Sequence, residues 1–174
     1  MTDMYQNVTN QVDPFKKLAS YIPGFKGYIE RQNRRDADKL VRDTVARRFT
    51  ELWTRTSNLQ KDLISAGKIE LVDDVEQAAL QLRTFIDKIS TASRGYSGFF
   101  DAVKINEKEL EQLYNFDLAF LELADQVSHA LDNVEASLGD DAALPAAIRN
   151  ITTLGREAVK TLNSRSEAIT GTGK

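Results

Sequence analysis

A chain of 174 residues, 41% hydrophobic and 28% charged, has the composition of one globular domain with a substantial core. It contains no cysteine, which excludes disulfides, thiolate metal sites and thiol nucleophiles and fits a reducing compartment. The formal net charge of −3 and a pI near 5.3 argue against a protein built to bind nucleic acid.

The polar start MTDMYQNVTNQVDPFKK has no apolar signal region, and no run approaches the roughly eighteen apolar residues that a membrane span requires. The expected location is cytoplasmic, or peripheral to the inner face of the membrane. Residues 1–13 read as a loose arm, 14–170 as a single helical domain and 171–174 as a frayed tail. Asp13-Pro14 matches an N-cap followed by Pro at N1 and opens a short helix, PFKKLASYI, that stops at Pro23-Gly24. Phe15, Leu18, Ala19 and Ile22 share one face of it, with Lys16 and Lys17 beside them. Such a segment either packs as a lid on the end of the domain or lies on a membrane as an interfacial anchor.

A long helix is expected from Phe25 to Ala66, about 60 Å in length, because no Pro or Gly interrupts the chain between Tyr28 and Ala66. From Val41 the apolar positions run Val41, Val45, Phe49, Leu52, Thr56, Leu59 and Leu63, the spacing of a helix packed lengthwise in a bundle or coiled coil. The decade Glu30 to Lys39 departs from that pattern, with Ala37 its only apolar residue. Ala66-Gly67-Lys68 is short enough to force an antiparallel hairpin, with Gly67 at C′. A second helix, about Glu70 to Ser93, carries Val72, Val75, Ala79, Leu82, Ile86 and Ile89. The stretch Arg94 to Asn106 is broken by Gly95 and Gly98 and holds three aromatics. A third helix, about Glu107 to Leu138, places Leu110, Leu113, Asp117, Phe120, Ala124, Val127, Leu131, Val134 and Leu138 on its seam. A fourth begins near Pro145 and carries Leu144, Ile148, Ile151, Gly155, Ala158, Leu162 and Ile169. The fold expected is all-α, an antiparallel bundle of four main helices with a long first helix and a short N-terminal amphipathic one.

Charge is unevenly spread. Phe25 to Arg55 holds nine basic and five acidic residues, a net of +4; Asp101 to Asp141 holds two lysines and eleven acids, a net of −9. From Ala142 onward the net is +3. A basic first helix and an acidic third one imply mutual attraction or self-association.

Catalytic templates are missing. The single histidine, His129, lies off the apolar seam, and Gln126 stands three residues before it, so no Glu-x-x-His di-iron motif exists. There is no P-loop, GxGxxG, GxSxG, HExxH or calcium loop. No catalytic, cofactor-binding or metal residue is assigned, no cofactor is implied and no small-molecule substrate is evident. Asp117 stands out because it occupies a seam position where Leu or Ile belongs. A buried carboxylate costs several kcal/mol unless paired, so Asp117 needs an Arg, Tyr or backbone partner and would set register; a ligand-contacting acid is the alternative. The stripe Arg31, Arg35, Lys39 and Arg42 invites a phosphate-binding reading. Acids stand four residues before bases at Glu30–Arg34, Asp38–Arg42, Asp43–Arg47 and Glu51–Arg55, the favoured orientation for helix-surface pairs, and this discounts it. Hairpin geometry about Gly67 sets the aromatic break beside the polar decade. Arg31, Arg34, Arg35, Asp38, Tyr96, Phe99, Phe100 and Asp101 then form a candidate interaction patch, Arg- and aromatic-rich as interfaces are.

Two passages, RRDADKLVRD (Arg34–Asp43) and GYSGFFDAVKINEKELEQLYNFD (Gly95–Asp117), resemble a group of bacterial all-helical proteins with no known activity, a resemblance that implies fold only. The short amphipathic helix Phe15 to Ile22 followed by a long basic helix also resembles the phage-shock and ESCRT-III-like membrane-remodelling proteins. The chain departs from those at Gly95, where its second helix breaks. The expected function is a non-catalytic interaction or scaffold protein that binds a protein partner or itself. A peripheral membrane protein using the N-terminal helix is the alternative, and an enzyme with an unrecognised carboxylate site the third.

Overall fold

The computed structural model describes residues 13–30, 34–92 and 107–171. These residues form six α-helices and no strand: α1 (Pro14–Tyr21), α2 (Phe25–Glu30), α3 (Arg34–Ser65), α4 (Val72–Thr91), α5 (Glu107–Ala136) and α6 (Leu144–Gly171). A single 3-10 turn, Ile69–Leu71, leads into α4.

Local chemistry sets the ends of the helices. The Asp13 side chain accepts from the Phe15 N–H at 3.1 Å and Pro14 occupies the first turn, so α1 starts where an orphan donor is satisfied and a missing one costs nothing. At the end of α3, the Lys68 N–H donates to the Leu63 carbonyl at 2.8 Å and the Gly67 N–H to Ile64 at 3.0 Å, with Gly67 at φ +76°. That is a Schellman motif, in which glycine alone takes the left-handed position cheaply. Asp140 Oδ1 accepts from the N–H groups of Ala142 and Ala143 just ahead of α6.

The expected continuous helix from Phe25 is not what forms. The short α2 packs back on α3, and a Cβ placed on Gly24 would lie 4.0 Å from Leu40 Cδ2. In one straight helix residues 24 and 40 would be about 24 Å apart. The cause is tertiary. Phe25 is fully buried, with its ring centroid 5.5 Å from Phe15 and 5.7 Å from Tyr114 of α5. Burying such a ring is worth a few kcal/mol, enough to outweigh a few helical hydrogen bonds.

Four long helices share one core, in which Phe49, Phe85 and Phe120 stack with centroids 4.3 and 5.3 Å apart. Contacts run in a ring, α3 to α4 to α6 to α5 and back to α3. Phe49 opposite Phe85 and Trp53 opposite Arg83 show α3 and α4 antiparallel. Asp117 meets Arg165 while Ala130 and Asn133 line one groove with Asn150 and Leu154, which shows the same for α5 and α6. Arg48 with Asp125 and Arg55 with Asp132 make α3 and α5 parallel. Gln81 against Gly155 and Lys88 against Asn163 make α4 and α6 parallel. Two antiparallel hairpins therefore lie side by side, so half of the spatial neighbours are parallel rather than antiparallel. The helices α1 and α2 lie over this core, α1 on α5.

Candidate functional site

The seam of α6 runs Ile148, Ile151, Leu154, Ala158, Leu162 and Ile169, all buried, and Arg165 fills its next regular position. On α3 the seam extends upstream from Val45 through Arg42 and Asp38. On α5 the corresponding position is Asp117. These four side chains meet in one layer inside the core. Arg165 Nε donates to Asp117 Oδ1 at 2.8 Å and its Nη2 to Asp38 Oδ1 at 2.7 Å. Arg42 Nε donates to Asp38 Oδ2 at 2.9 Å. Arg165 and Asp117 are 1% and 2% exposed, Asp38 and Arg42 6% and 9%.

Among the described residues the layer holds two cations and two anions in alternation. Arg165 suits its centre because a planar guanidinium presents several donors in fixed directions. Burial pushes the Asp117 carboxyl up to about 6, against the pull of Arg165, with the nearby Asp38 charge adding to the rise. Among the described residues no buried side-chain nitrogen or oxygen lacks a hydrogen-bond partner.

A second, more exposed set of charges joins α1, α3 and α5. Arg48 donates to Asp125, whose other oxygen accepts from Tyr21 Oη at 2.8 Å, and the Arg48 guanidinium lies 5.9 Å from the Tyr21 ring centroid. For Asp125, partial burial works to raise its pKa, but the hydrogen bonds from Arg48 and Tyr21 prevail and hold it below the usual carboxylate range. Arg55 donates to Asp132 and to Glu135, and Lys68 pairs with Asp141. The opposite charges of the first and third long helices thus meet within the chain.

This geometry revises several sequence expectations. Asp38, expected on an exposed interaction patch, is in the buried layer, because it continues the core-facing seam of α3. The Asp38–Arg42 pair forms at i, i+4 as expected but is buried, not on the surface. Arg55 reaches across to α5. Arg35 is exposed at the start of α3. The remaining patch residues Arg31, Tyr96, Phe99, Phe100 and Asp101, and the Arg34 side chain, lie outside the described residues, as does the predicted meeting of the aromatic break with the polar decade. Arg165 was not singled out from sequence. Its signal was the gap in the α6 seam between Leu162 and Ile169, where a charged residue takes a core-facing position.

His129 is exposed, on the rim of an open groove of about 530 Å³ between α5 and α6 whose other polar groups include Gln126, Asn133 and Asn150. The carboxylate at that groove, Asp125, is already engaged by Arg48 and Tyr21. No group of three or more His, Cys, Asp or Glu able to hold a metal occurs among the described residues. None of their helices is long and apolar enough to cross a membrane. Comparison with known proteins finds no matching family model, no matching curated protein and no matching solved structure.

Proposed function

We propose that this chain is a non-catalytic helical interaction or scaffold protein, a four-helix bundle whose helices alternate in direction along the chain. The observation that carries this reading is the layer of Asp38, Arg42, Asp117 and Arg165. Its ionisable groups are spent on one another, tying three helices at one level, as buried polar layers do when they fix helix register. Self-association would use surface left over once the helix charges have paired within the chain. Ile64 and Ile69, 55% and 68% exposed on either side of the Gly67 turn, supply an apolar contact for a second copy. Light scattering over a range of concentrations tests this. The expected result is a mass above the monomer that Ile69→Lys returns to the monomer; a strict monomer at every concentration sinks the self-associating form.

The membrane alternative requires α1 to leave its seat. Leu18 and Ile22, the residues that would enter lipid, are 0% and 1% exposed, and Lys17 approaches Glu122 of α5 at 3.7 Å. Under the scaffold reading, vesicles of anionic lipid do not pellet the protein, and deleting residues 1–24 changes nothing in that assay.

A further inference from the structure

We propose that the charges on the long helices select which way the two hairpins dock, so that the ring order is an electrostatic device rather than a result of core packing alone. Short turns keep α3 beside α4 and α5 beside α6, which leaves two ring orders. One is the observed α3–α4–α6–α5. The other is sequential, α3–α4–α5–α6, and would seat α5 beside α4 and α6 beside α3. Each order can point the same apolar seams at the bundle axis, while the close seat of Gly155 against Gln81 belongs to the observed one. The Arg165 layer does not choose between them, since in the sequential order α6 still borders the helices that carry Asp38 and Asp117.

Charge does choose. By sequence α3 holds eight basic and five acidic residues, α4 two and four, α5 one and eight, and α6 four and two. The nets are +3, −2, −7 and +2. In the observed ring the signs alternate at every contact. In the sequential ring the two acidic helices would touch, and so would the two basic ones. The ion pairs between α3 and α5 are the specific form of this preference: Arg48 with Asp125, Arg55 with Asp132 and Glu135. Pairs this exposed contribute little stability each. Discrimination needs only a difference between two dockings, and like charges in the wrong one add to it.

The absence of native cysteine makes the neighbours directly readable by engineered pairs and a short flexible bismaleimide. Lys88→Cys with Asn163→Cys reports α4 beside α6, whose side chains meet at 3.3 Å. Gln77→Cys with His129→Cys, both at exposed positions, reports α4 beside α5. In the otherwise unchanged chain the first pair cross-links within the monomer and the second does not. Exchanging the signs of the first hairpin, with Arg48→Glu and Arg55→Glu on α3 and Asp73→Lys and Glu76→Lys on α4, sets the two nets to −1 and +2, so that the sequential ring becomes the one whose signs alternate. This exchange should lower the first yield about twofold or more and raise the second. The proposal is overturned if the folded variant leaves both yields unchanged, or if circular dichroism shows that the exchange unfolds the chain instead of redocking it.

Discussion

Arg165 is the residue on which the most depends. It is 1% exposed and its guanidinium bridges carboxylates from two other helices. Removing one member of such a group leaves buried charge unpaired, so Arg165→Ala should cost about 3–5 kcal/mol in urea denaturation. Replacing all four members by apolar residues of similar size should cost far less, or stabilise. Asp117 adds a pH signature. Its folded value of about 6 lies above the ordinary 3.8, so the native state holds this proton more tightly than the unfolded chain. The contribution of this group to stability is therefore fully present below about pH 4, falls as pH rises toward 6, and is level above it. Asp125 acts oppositely: its depressed value gives stability that is present near neutrality and lost only in stronger acid. Arg165, Asp38 and Arg42 face Asp117 in the layer, and the arginines stay charged throughout. Asp117→Asn should flatten the stability profile between pH 4 and 6, measured by denaturant melts across that range.

At the scale of elements, α4 and α6 approach closely at Gly155. A Cβ on Gly155 would stand 2.8 Å from Gln81 Cβ and 3.5 Å from Leu82 Cδ2. Gly155→Ala should therefore destabilise by about 1–3 kcal/mol in a thermal melt, although alanine is the better helix former. Gly139→Ala, which meets nothing within 4 Å, is the control. Periodicity made the helix spans and core seams readable because a 3–4 alternation of Leu, Ile, Val and Phe repeats over many turns. Asp117 was readable as an intruder on such a seam. Its partners were not, because Asp38 and Arg42 look like an ordinary surface pair when α3 is read alone, and Arg165 looks like a lapse in α6. The packing of α2 back on α3 left no mark either. No Pro or Gly occurs between Tyr28 and Ala66, and the force that brings α2 back onto α3 is the pocket for Phe25, built by α1 and α5 far away in sequence. Ring order is the least legible property, since the alternating charge of whole helices means nothing until their neighbours are known.

At the scale of the molecule, the charge asymmetry that implied mutual attraction or self-association is met in part inside the chain. Arg48, Arg55 and Lys68 each meet an acid at or beyond the opposing hairpin, and Lys17 does so from α1. Salt should accordingly weaken the docking of hairpins more than the hairpins themselves. Hydrogen exchange at high ionic strength should show faster opening between α3 and α5 while the α3–α4 core stays protected. Equal loss of protection throughout would mean that the hairpins have no independent stability.

The parallel placement of the hairpins also bears on time. Within a hairpin, partners such as Phe49 and Phe85 are joined by a short stretch of chain. Partners between hairpins are remote: Arg48 and Asp125 are 77 residues apart, Lys88 and Asn163 75, Asp38 and Arg165 127. Closing such long loops is entropically slow, so the hairpins should form early and their union late. The Asp38–Arg165 contact, which alone in the layer joins the two hairpins among the described residues, should then form after the folding barrier is crossed. Asp38→Asn should leave the refolding rate nearly untouched and accelerate unfolding, visible as a shift of one chevron arm only. On that reckoning the contact acts as a clasp that closes last, and it governs the lifetime of the native state more than the speed of reaching it.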